Sequence, residues 1–340
     1  MNKKGNDDII CFGFDVGTGN LACTSSIGSE TKILRNAFIK ISHDDIDAQS
    51  LKDISYIQDS NNDFLILGSD AFTFANVFNS EISRPMAKGT ISPAEVDAID
   101  ILSLMVKSLI GDLNGKKGYV CYSVPAEPVD SLRNILYHEK VFNRIFKECG
   151  LECKPVNEGL AVLFSEAAEF SFTGIGLSFG AGLTNCCVGI KGVPAASFST
   201  SRSGDWIDSM SSENLNIVKN RICNIKEKYL NLIDGEFQKE PDKKRRRALE
   251  SLNYYYESFL NYTIKLIIKE FETNIDLEIG HPIPIILSGG TSLPVGFLEK
   301  FRSIISTHKL PFEISEIRHA KNPLTAVSTG LLVKAMTDID

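Results

Sequence analysis

Phe14-Asp15-Val16-Gly17-Thr18-Gly19-Asn20-Leu21-Ala22-Cys23 returns half a chain later as Leu177-Ser178-Phe179-Gly180-Ala181-Gly182-Leu183-Thr184-Asn185-Cys186. Superposing the two stretches pairs Gly17 with Gly180 and Gly19 with Gly182, and apolar, strand-like residues flank both turns. A β-turn-β with glycines two apart lets backbone N–H groups converge on a phosphate without obstruction by side chains. Two such turns predict two related lobes facing one nucleotide. The copies differ at one chemically important place: Asp15 in the first is Ser178 in the second.

The segments around each turn repeat as well. Residues 9–27 read as strand, turn and strand, and 33–41 and 64–67 are further strand candidates. The polar stretch from Ser42 to Asp63 suits a small peripheral subdomain. Ser92-Pro93 starts a helix, with serine at the N-cap and proline at the first helical position, and Ile99, Leu102, Val106 and Leu109 form its apolar face. A strand over Tyr119–Val124, a helix over 129–149, a short strand to Val156 and a helical segment from Gly159 to Phe170 come next. The order then restarts near residue 175, with a third strand at Pro194–Phe198. This alternation predicts an α/β protein with a mixed sheet in each lobe.

Composition bounds the function. A chain of 340 residues that is 43% hydrophobic, with a mean hydropathy of −0.03, is long enough for one large or two medium domains with ample core. The net charge of −7 argues against a general nucleic-acid binder. The N-terminus, Met1 to Asp8, is polar and unlike a signal peptide. No apolar run reaches bilayer length, so a cytoplasmic location is expected. The eight cysteines lie mostly in apolar runs without metal-ligand spacing and read as reduced, buried thiols. The five histidines are scattered, and none is assigned to catalysis.

Residues 215–271 have a different character. Leu215, Val218, Ile222, Ile225, Tyr229 and Leu232 follow a 3-4 spacing, as do Leu249, Leu252, Tyr256, Phe259, Thr263 and Leu266. Helix-stop and helix-start signals fall between Asp234 and Asp242. The pattern predicts two long helices packed as an antiparallel hairpin. The second opens on Lys243-Lys244-Arg245-Arg246-Arg247, five cations that oppose the helix macrodipole. The run reads as a solvated helix end; the alternative is a contact for an acidic surface such as a neighbouring subunit. Farther on, Ile285-Ile286-Leu287-Ser288-Gly289-Gly290-Thr291-Ser292-Leu293-Pro294 carries a strand into a double glycine and then a helix over Val295–Ser306. This order sets bare backbone and a helix N-terminus against a ligand.

In order, these motifs resemble the actin superfamily along nearly the whole chain, and bacterial actins of the MreB and MamK type most of all. Asp15 to Asn20 resembles the first phosphate motif, and Arg84-Pro85-Met86-Ala87-Lys88-Gly89 the bacterial-actin segment that leads into the next helix. Val124-Pro125-Ala126 and Val156-Asn157-Glu158-Gly159-Leu160-Ala161 resemble the strand end and the connecting helix. Ser178 to Asn185 resembles the second phosphate motif. Gly204-Asp205-Trp206-Ile207-Asp208 resembles the G-D-x-x-D segment, Ser288-Gly289-Gly290-Thr291 the adenosine motif, and Asn322 to Val327 the last helix.

The resemblance implies a two-lobed fold of RNase H-like sheets with Mg-ATP between the lobes. Lobe I would cover 1–172, with a small subdomain at about 33–84 and the C-terminal helix 323–340. Lobe II would cover 173–322, with a helical hairpin at about 211–272. Phosphate contacts would come from Gly17, Thr18, Gly19 and Asn20 in lobe I. In lobe II they would come from Ser178, Gly180, Ala181, Gly182, Leu183 and Thr184. Adenosine contacts would come from Gly204, Asp205, Gly289, Gly290, Thr291 and Ser292. The family's lysine is matched by Lys219 or by Lys226 with Glu227. Glu158 matches the residue that positions water, and Asp15 would hold Mg²⁺ through water. Head-to-tail contacts that do not close generate open filaments, so self-assembly is expected, with an adaptor as a possible further partner and no direct membrane binding.

Two departures bear on activity. Family members that hydrolyse ATP begin the second phosphate motif with an aspartate, and Ser178 offers no charge to hold hydrated Mg²⁺ or polarise water. Bacterial actins also place strands in the subdomain where this sequence shows only helices. The reading is therefore a nucleotide-dependent filament protein that is at most a weak ATPase. A regulatory or chaperone-like nucleotide-binding module that never polymerises is the alternative. A small-molecule kinase ranks last, because no acceptor-side carboxylate base stands out.

Overall fold

The computed structural model describes residues 9–339 apart from 29, 53, 60, 79–81, 96, 133, 134, 275, 276 and 278; the polar stretch Met1 to Asp8 lies outside them. The chain divides into two compact units. One comprises Met1–Val124, Asn134–Val156 and Leu331–Asp340, and the other Pro125–Arg133 and Asn157–Gly330.

In the first unit, β1 (Ile9–Val16) and β2 (Asn20–Ser25) form the antiparallel arms of the first glycine turn. β3 (Lys32–Arg35) pairs with β2. The chain then leaves this sheet at Asn36, whose N–H donates to the Gly19 carbonyl at 3.0 Å. The single strand expected over 33–41 is thus two, and β4 (Phe38–Ile41) joins β5 (Tyr56–Gln58) and β6 (Phe64–Leu67) in a separate three-stranded sheet. α1 (Ser69–Phe78) packs on that sheet. The short strands β7 (Met86–Ala87) and β8 (Thr90–Ile91) come next. α2 (Ala98–Ile110) starts later than Ser92-Pro93 predicts, because the Ser92 N–H is bonded back to the Pro85 carbonyl at 2.9 Å. β9 (Lys117–Val124), α3 (Ile135–Glu148) and β10 (Leu151–Asn157) complete a sheet of order β10-β9-β1-β2-β3.

The second unit repeats this order. α4 (Glu158–Glu166) leads to β11 (Gly174–Phe179), β12 (Thr184–Ile190) and β13 (Val193–Thr200). β14 (Ile283–Ser288) and β15 (Ile314–His319) close a sheet of order β13-β12-β11-β14-β15. Reversed, this is strand for strand the order of the first sheet, with the glycine hairpin central and a parallel strand beside its first arm in both. An aromatic cluster lies under each turn. Phe14 meets Phe146 edge-on at 5.2 Å, and Phe179 meets Phe259, Phe297 and Phe301 at 5.1–6.3 Å.

The chain stays in the second unit from Asn157 to Gly330 because α4 lies on β11 and β12. A Cβ on Gly176 would stand 2.1 Å from the Gly159 carbonyl oxygen, so only glycine permits this helix–sheet distance.

The region expected as a two-helix hairpin holds both helices, and the first starts later than its stripe because the last turn of a preceding helix takes Leu215. α5 (Gly204–Leu215) ends at Asn216, whose φ of 52° is left-handed and breaks the stripe drawn from Leu215 to Leu232. α6 (Lys219–Tyr229) buries Ile222 but leaves Val218 exposed, and Leu232 lies past the helix beside a one-residue bridge, Asn231 to Val295. α7 (Lys243–Thr273) matches the expected second helix and packs on α5, α6 and α8 (Phe297–Ser306). Among the described residues from 201 to 282 this bridge is the only β-pairing. The last helix, α9 (Ala326–Ile339), approaches α4 as closely as the sheet does, since a Cβ on Gly330 would lie 1.8 Å from the Ala161 oxygen.

Gly176→Ala should destabilise the fold by about 1–3 kcal/mol or more through overpacking. Gly280→Ala, where an added Cβ meets nothing within 4 Å, should be neutral or stabilising by less than about 1 kcal/mol. Urea unfolding of both variants measures the difference.

Candidate functional site: two glycine turns and their supports

In the first turn a Cβ on Gly17 would lie 2.5 Å from the Asn20 carbonyl oxygen. In the second, a Cβ on Gly180 would lie 2.7 Å from the Leu183 oxygen. The duplication read from sequence is therefore also a duplication of geometry, with the same clash at the same offset. Both turns place their carbonyls on protein donors. The Asn36 side-chain amide donates to the Gly17 oxygen at 2.9 Å and its N–H to the Gly19 oxygen. In the second turn, Thr291 Oγ1 and the Gly204 N–H donate to the Gly180 oxygen at 2.8 and 3.2 Å. The Asp205 N–H and Ser203 Oγ donate to the Ala181 oxygen at 2.8 and 2.6 Å. Each held carbonyl turns the N–H of its own trans peptide to the opposite side, an arrangement that suits an anion, whereas the Gly180 N–H is taken by the Leu183 carbonyl at 3.0 Å.

Asp15 is half-buried at the end of β1, opposite Ala22. Its Oδ1 accepts from Ser123 Oγ at 2.9 Å, and that hydroxyl oxygen accepts from the Val16 N–H at 2.7 Å. Burial pushes the Asp15 carboxyl up to about 6, and the Ser123 hydrogen bond partly offsets this. Thr18 Oγ1 accepts from the Gly89 N–H at 3.0 Å, which ties the Arg84–Gly89 segment to the first turn. Asn20 begins β2.

Ser178 is buried in the sheet, in register with Asn185 on one side and Ser288 on the other. Leu183 and Thr184 are buried at the start of the return arm. Glu158 opens α4 behind the N-cap Asn157, whose side chain accepts from the Leu160 N–H at 3.1 Å. Glu158 Oε2 accepts from Asn185 Nδ2 at 2.8 Å, and Asn185 Oδ1 accepts from the Ala126 N–H at 3.1 Å. A backbone N–H can only donate, so the Asn185 amide has one orientation and presents its NH₂ to Glu158. Sequence reading missed Asn185 and Asn36 as positioning residues. Asn185 lies inside a quoted motif, but Asn36 carries no local signal.

The adenosine-motif residues gather around the second turn. Gly289 has φ 90° and no room for a Cβ, which would stand 2.4 Å from the Phe179 oxygen. Gly290, Thr291 and Ser292 form a 3-10 turn, and α8 starts at Phe297, two residues later than expected. Tyr256 OH donates to the Thr291 carbonyl at 3.2 Å. The two candidate lysines have different surroundings. Lys226 Nζ is buried and donates to Asp208 Oδ2 at 2.7 Å and to the Gly204 carbonyl at 3.2 Å. Burial works against its charge, yet Asp208 outweighs this and holds the ammonium above its usual range. Lys219 is 44% exposed beside Asp205, at 3.8 Å. Glu227 is exposed near Cys223. Lys226 thus braces the Gly204 backbone, whereas Lys219 stands at the surface.

Residues 10–335 match the Volactin family model. The chain belongs to the Volactin family. Its fold is that of actin-like bacterial proteins. It is similar to a structure of the MamK double helical filament, with 18% identity, a TM-score of 0.70, and coverage of 96% of this chain and 99% of that one. It is also similar to MreB5 of Spiroplasma citri bound to ADP, with 15% identity, a TM-score of 0.67, and coverage of 97% and 96%. The ethanolamine utilization protein EutJ from Carboxydothermus hydrogenoformans shares the fold at 15% identity, a TM-score of 0.53, and coverage of 98% and 92%. No curated protein sequence matches. This Volactin-family chain therefore has the expected mixed α/β architecture of two actin-like units. Among the described residues no helix is long and apolar enough to cross a membrane.

Lys226→Met should cost about 3–5 kcal/mol by leaving Asp208 buried without its counter-charge. Lys219→Met should stay within about 0.5 kcal/mol of the parent protein. Thermal or denaturant unfolding separates the two.

Proposed function

We propose that this protein is an actin-like cytoskeletal protein that binds Mg-ATP and assembles head-to-tail into filaments, with slow or absent hydrolysis. The observation that carries the nucleotide reading is the pair of glycine turns whose carbonyls are turned onto protein donors. Such turns fit phosphates, and the solved structures similar in fold include MamK bound to AMPPNP and MreB5 bound to ADP. Gly17, Thr18, Gly19 and Asn20 would hold phosphate from the first turn, and Ser178, Gly180, Ala181, Gly182, Leu183 and Thr184 from the second. Gly204, Asp205, Gly289, Gly290, Thr291 and Ser292 would receive the adenosine, with Lys219 as the cation at the surface to meet it. Magnesium would neutralise phosphate charge, and Asp15 would hold it through water. Glu158 would orient the attacking water, with Asn185 fixing its carboxylate.

The catalytic deficit is a consequence of Ser178. A neutral hydroxyl stands where resemblance places a carboxylate, so the electrostatic pull on water is missing. Self-assembly is supported by likeness in fold to a filament structure.

Sedimentation with Mg-ATP, Mg-ADP and no nucleotide, with phosphate measured in the same tubes, tests the proposal. ATP-dependent pelleting with little phosphate release is expected. A protein that binds nucleotide but stays soluble at every concentration would favour the regulatory module. Ser178→Asp should raise phosphate release by about 10- to 100-fold; no increase would remove the explanation for slow hydrolysis.

The pH dependence has a definite sign. The folded Asp15 pKa of about 6 exceeds its ordinary 3.8, so raising pH from about 4 through 6 ionises it at a cost to folding and creates the magnesium-holding charge. Mg-nucleotide affinity measured by calorimetry should rise through about pH 6. Asp15→Asn should flatten that profile.

A further inference from the structure

The charges at both ends of α7 oppose its own dipole. Five cations, Lys243 to Arg247, occupy the first turn, where the helix end is already positive. Glu270 and Glu272 follow Lys269 in the last turns, at the end where the last carbonyls are negative. Each arrangement costs about 0.3–1 kcal/mol when left to water. At the first end the Asp242 cap takes the Arg245 N–H at 2.7 Å, and the Arg245 side chain is bound to Glu240 at 2.7 Å and lies over Tyr229. Lys243, Lys244, Arg246 and Arg247 have no ion pair among the described residues. With Phe237 they surround an open cavity of about 540 Å³, with Glu250 at its wall. At the other end Phe271, flanked by the half-buried Glu270 and the exposed Glu272, lies against Phe312 at 4.3 Å, and the exposed Glu313 follows Phe312 in the chain. These three carboxylates also have no ion pair among the described residues.

One helix therefore presents an unpaired basic face at one end and an unpaired acidic face at the other. We propose that the basic end of α7 docks against the acidic end of α7 in a second copy of this chain, and that this contact drives head-to-tail addition. The proposal rests on the filament reading and supplies its contact. Stacking end to end gives each set of charges its opposite and aligns the two helix dipoles, so the cost of the charge pattern in the single chain is reversed in the assembly. The cavity gives the incoming carboxylates a walled cationic seat, with Phe237 for an apolar neighbour. The contact does not close on itself, because its two faces differ. The subunit spacing along the contact should be no shorter than the helix, about 46 Å for 31 residues at about 1.5 Å each.

The test uses the full chain with Mg-ATP at moderate salt and reads critical concentration by sedimentation. One variant carries Lys243→Glu, Lys244→Glu and Arg247→Glu; the other carries Glu272→Lys and Glu313→Lys. Alone, each should raise the critical concentration at least about tenfold. Mixed in equal amounts they should pellet together, because the reversed basic end of one now fits the reversed acidic end of the other. Both variants place charge in the sense the helix dipole favours, so unchanged or higher melting temperatures and unchanged nucleotide binding are expected. Raising salt from about 0.1 to about 1 M shortens the screening length from about 10 to about 3 Å and should weaken assembly of the parent protein. A parent protein that pellets while either variant pellets equally well, or while the mixture stays soluble, overturns the contact and leaves the filament reading standing. A parent protein that never pellets overturns both.

Discussion

A carbonyl oxygen within 2.7 Å of the place where a side chain would begin governs both halves of this molecule. At Gly17 and at Gly180 the returning strand crosses so tightly that the third residue on occupies the space of a Cβ. That crossing fixes the hairpin register, which sets Asp15 opposite Ala22 and Ser178 opposite Asn185. The register in turn decides which groups stand at the strand ends beside each turn. The aromatic clusters beneath, centred on Phe14 and Phe179, keep those strand ends from shifting. A substitution at either glycine therefore acts on the whole strand-end constellation.

The same logic of absent side chains recurs where helices meet sheets. Gly159, Gly176 and Gly330 permit contacts that no Cβ would allow, and they bring α4 against its sheet with Glu158 at its first position. The Asn185 amide then fixes the carboxylate. Elsewhere the support is ionic: Lys226 and Asp208 lie under the Gly204 backbone, while Tyr256 and Thr291 hold the adjacent segment. Removing one partner of the ion pair leaves a buried charge, so this support is strong only as a pair.

Much of this was legible in the sequence. The glycine duplication, the repeated order of strands and helices, and the adenosine-motif double glycine all carry local chemical signatures. The long helix from Lys243 to Thr273 was visible in its apolar spacing. The errors share a cause: tertiary contacts overrode local pattern. Asn36 leads the chain off one sheet and onto another, Ser92 is held by Pro85, and the left-handed Asn216 divides an apolar stripe that looked continuous. Helix–sheet packing, invisible in local spacing, also binds α4 to the strands β11 and β12 that come after it in the chain. Asn36 acts through a partner distant in sequence, and no single-sequence pattern announces such a role.

The orientation of the peptide planes in the two turns has a consequence for the chain's overall charge. Asn36, Thr291 and the backbone of Gly204 and Asp205 draw the turn carbonyls to one side, and the positive ends of the peptide dipoles are thereby turned to the other. A field built in this way owes nothing to lysine or arginine and changes little with ionic strength or with the acids elsewhere on the surface. An acidic protein can thus carry positive dipole ends at two turns without basic side chains, and its side-chain charges are left to the rest of the surface.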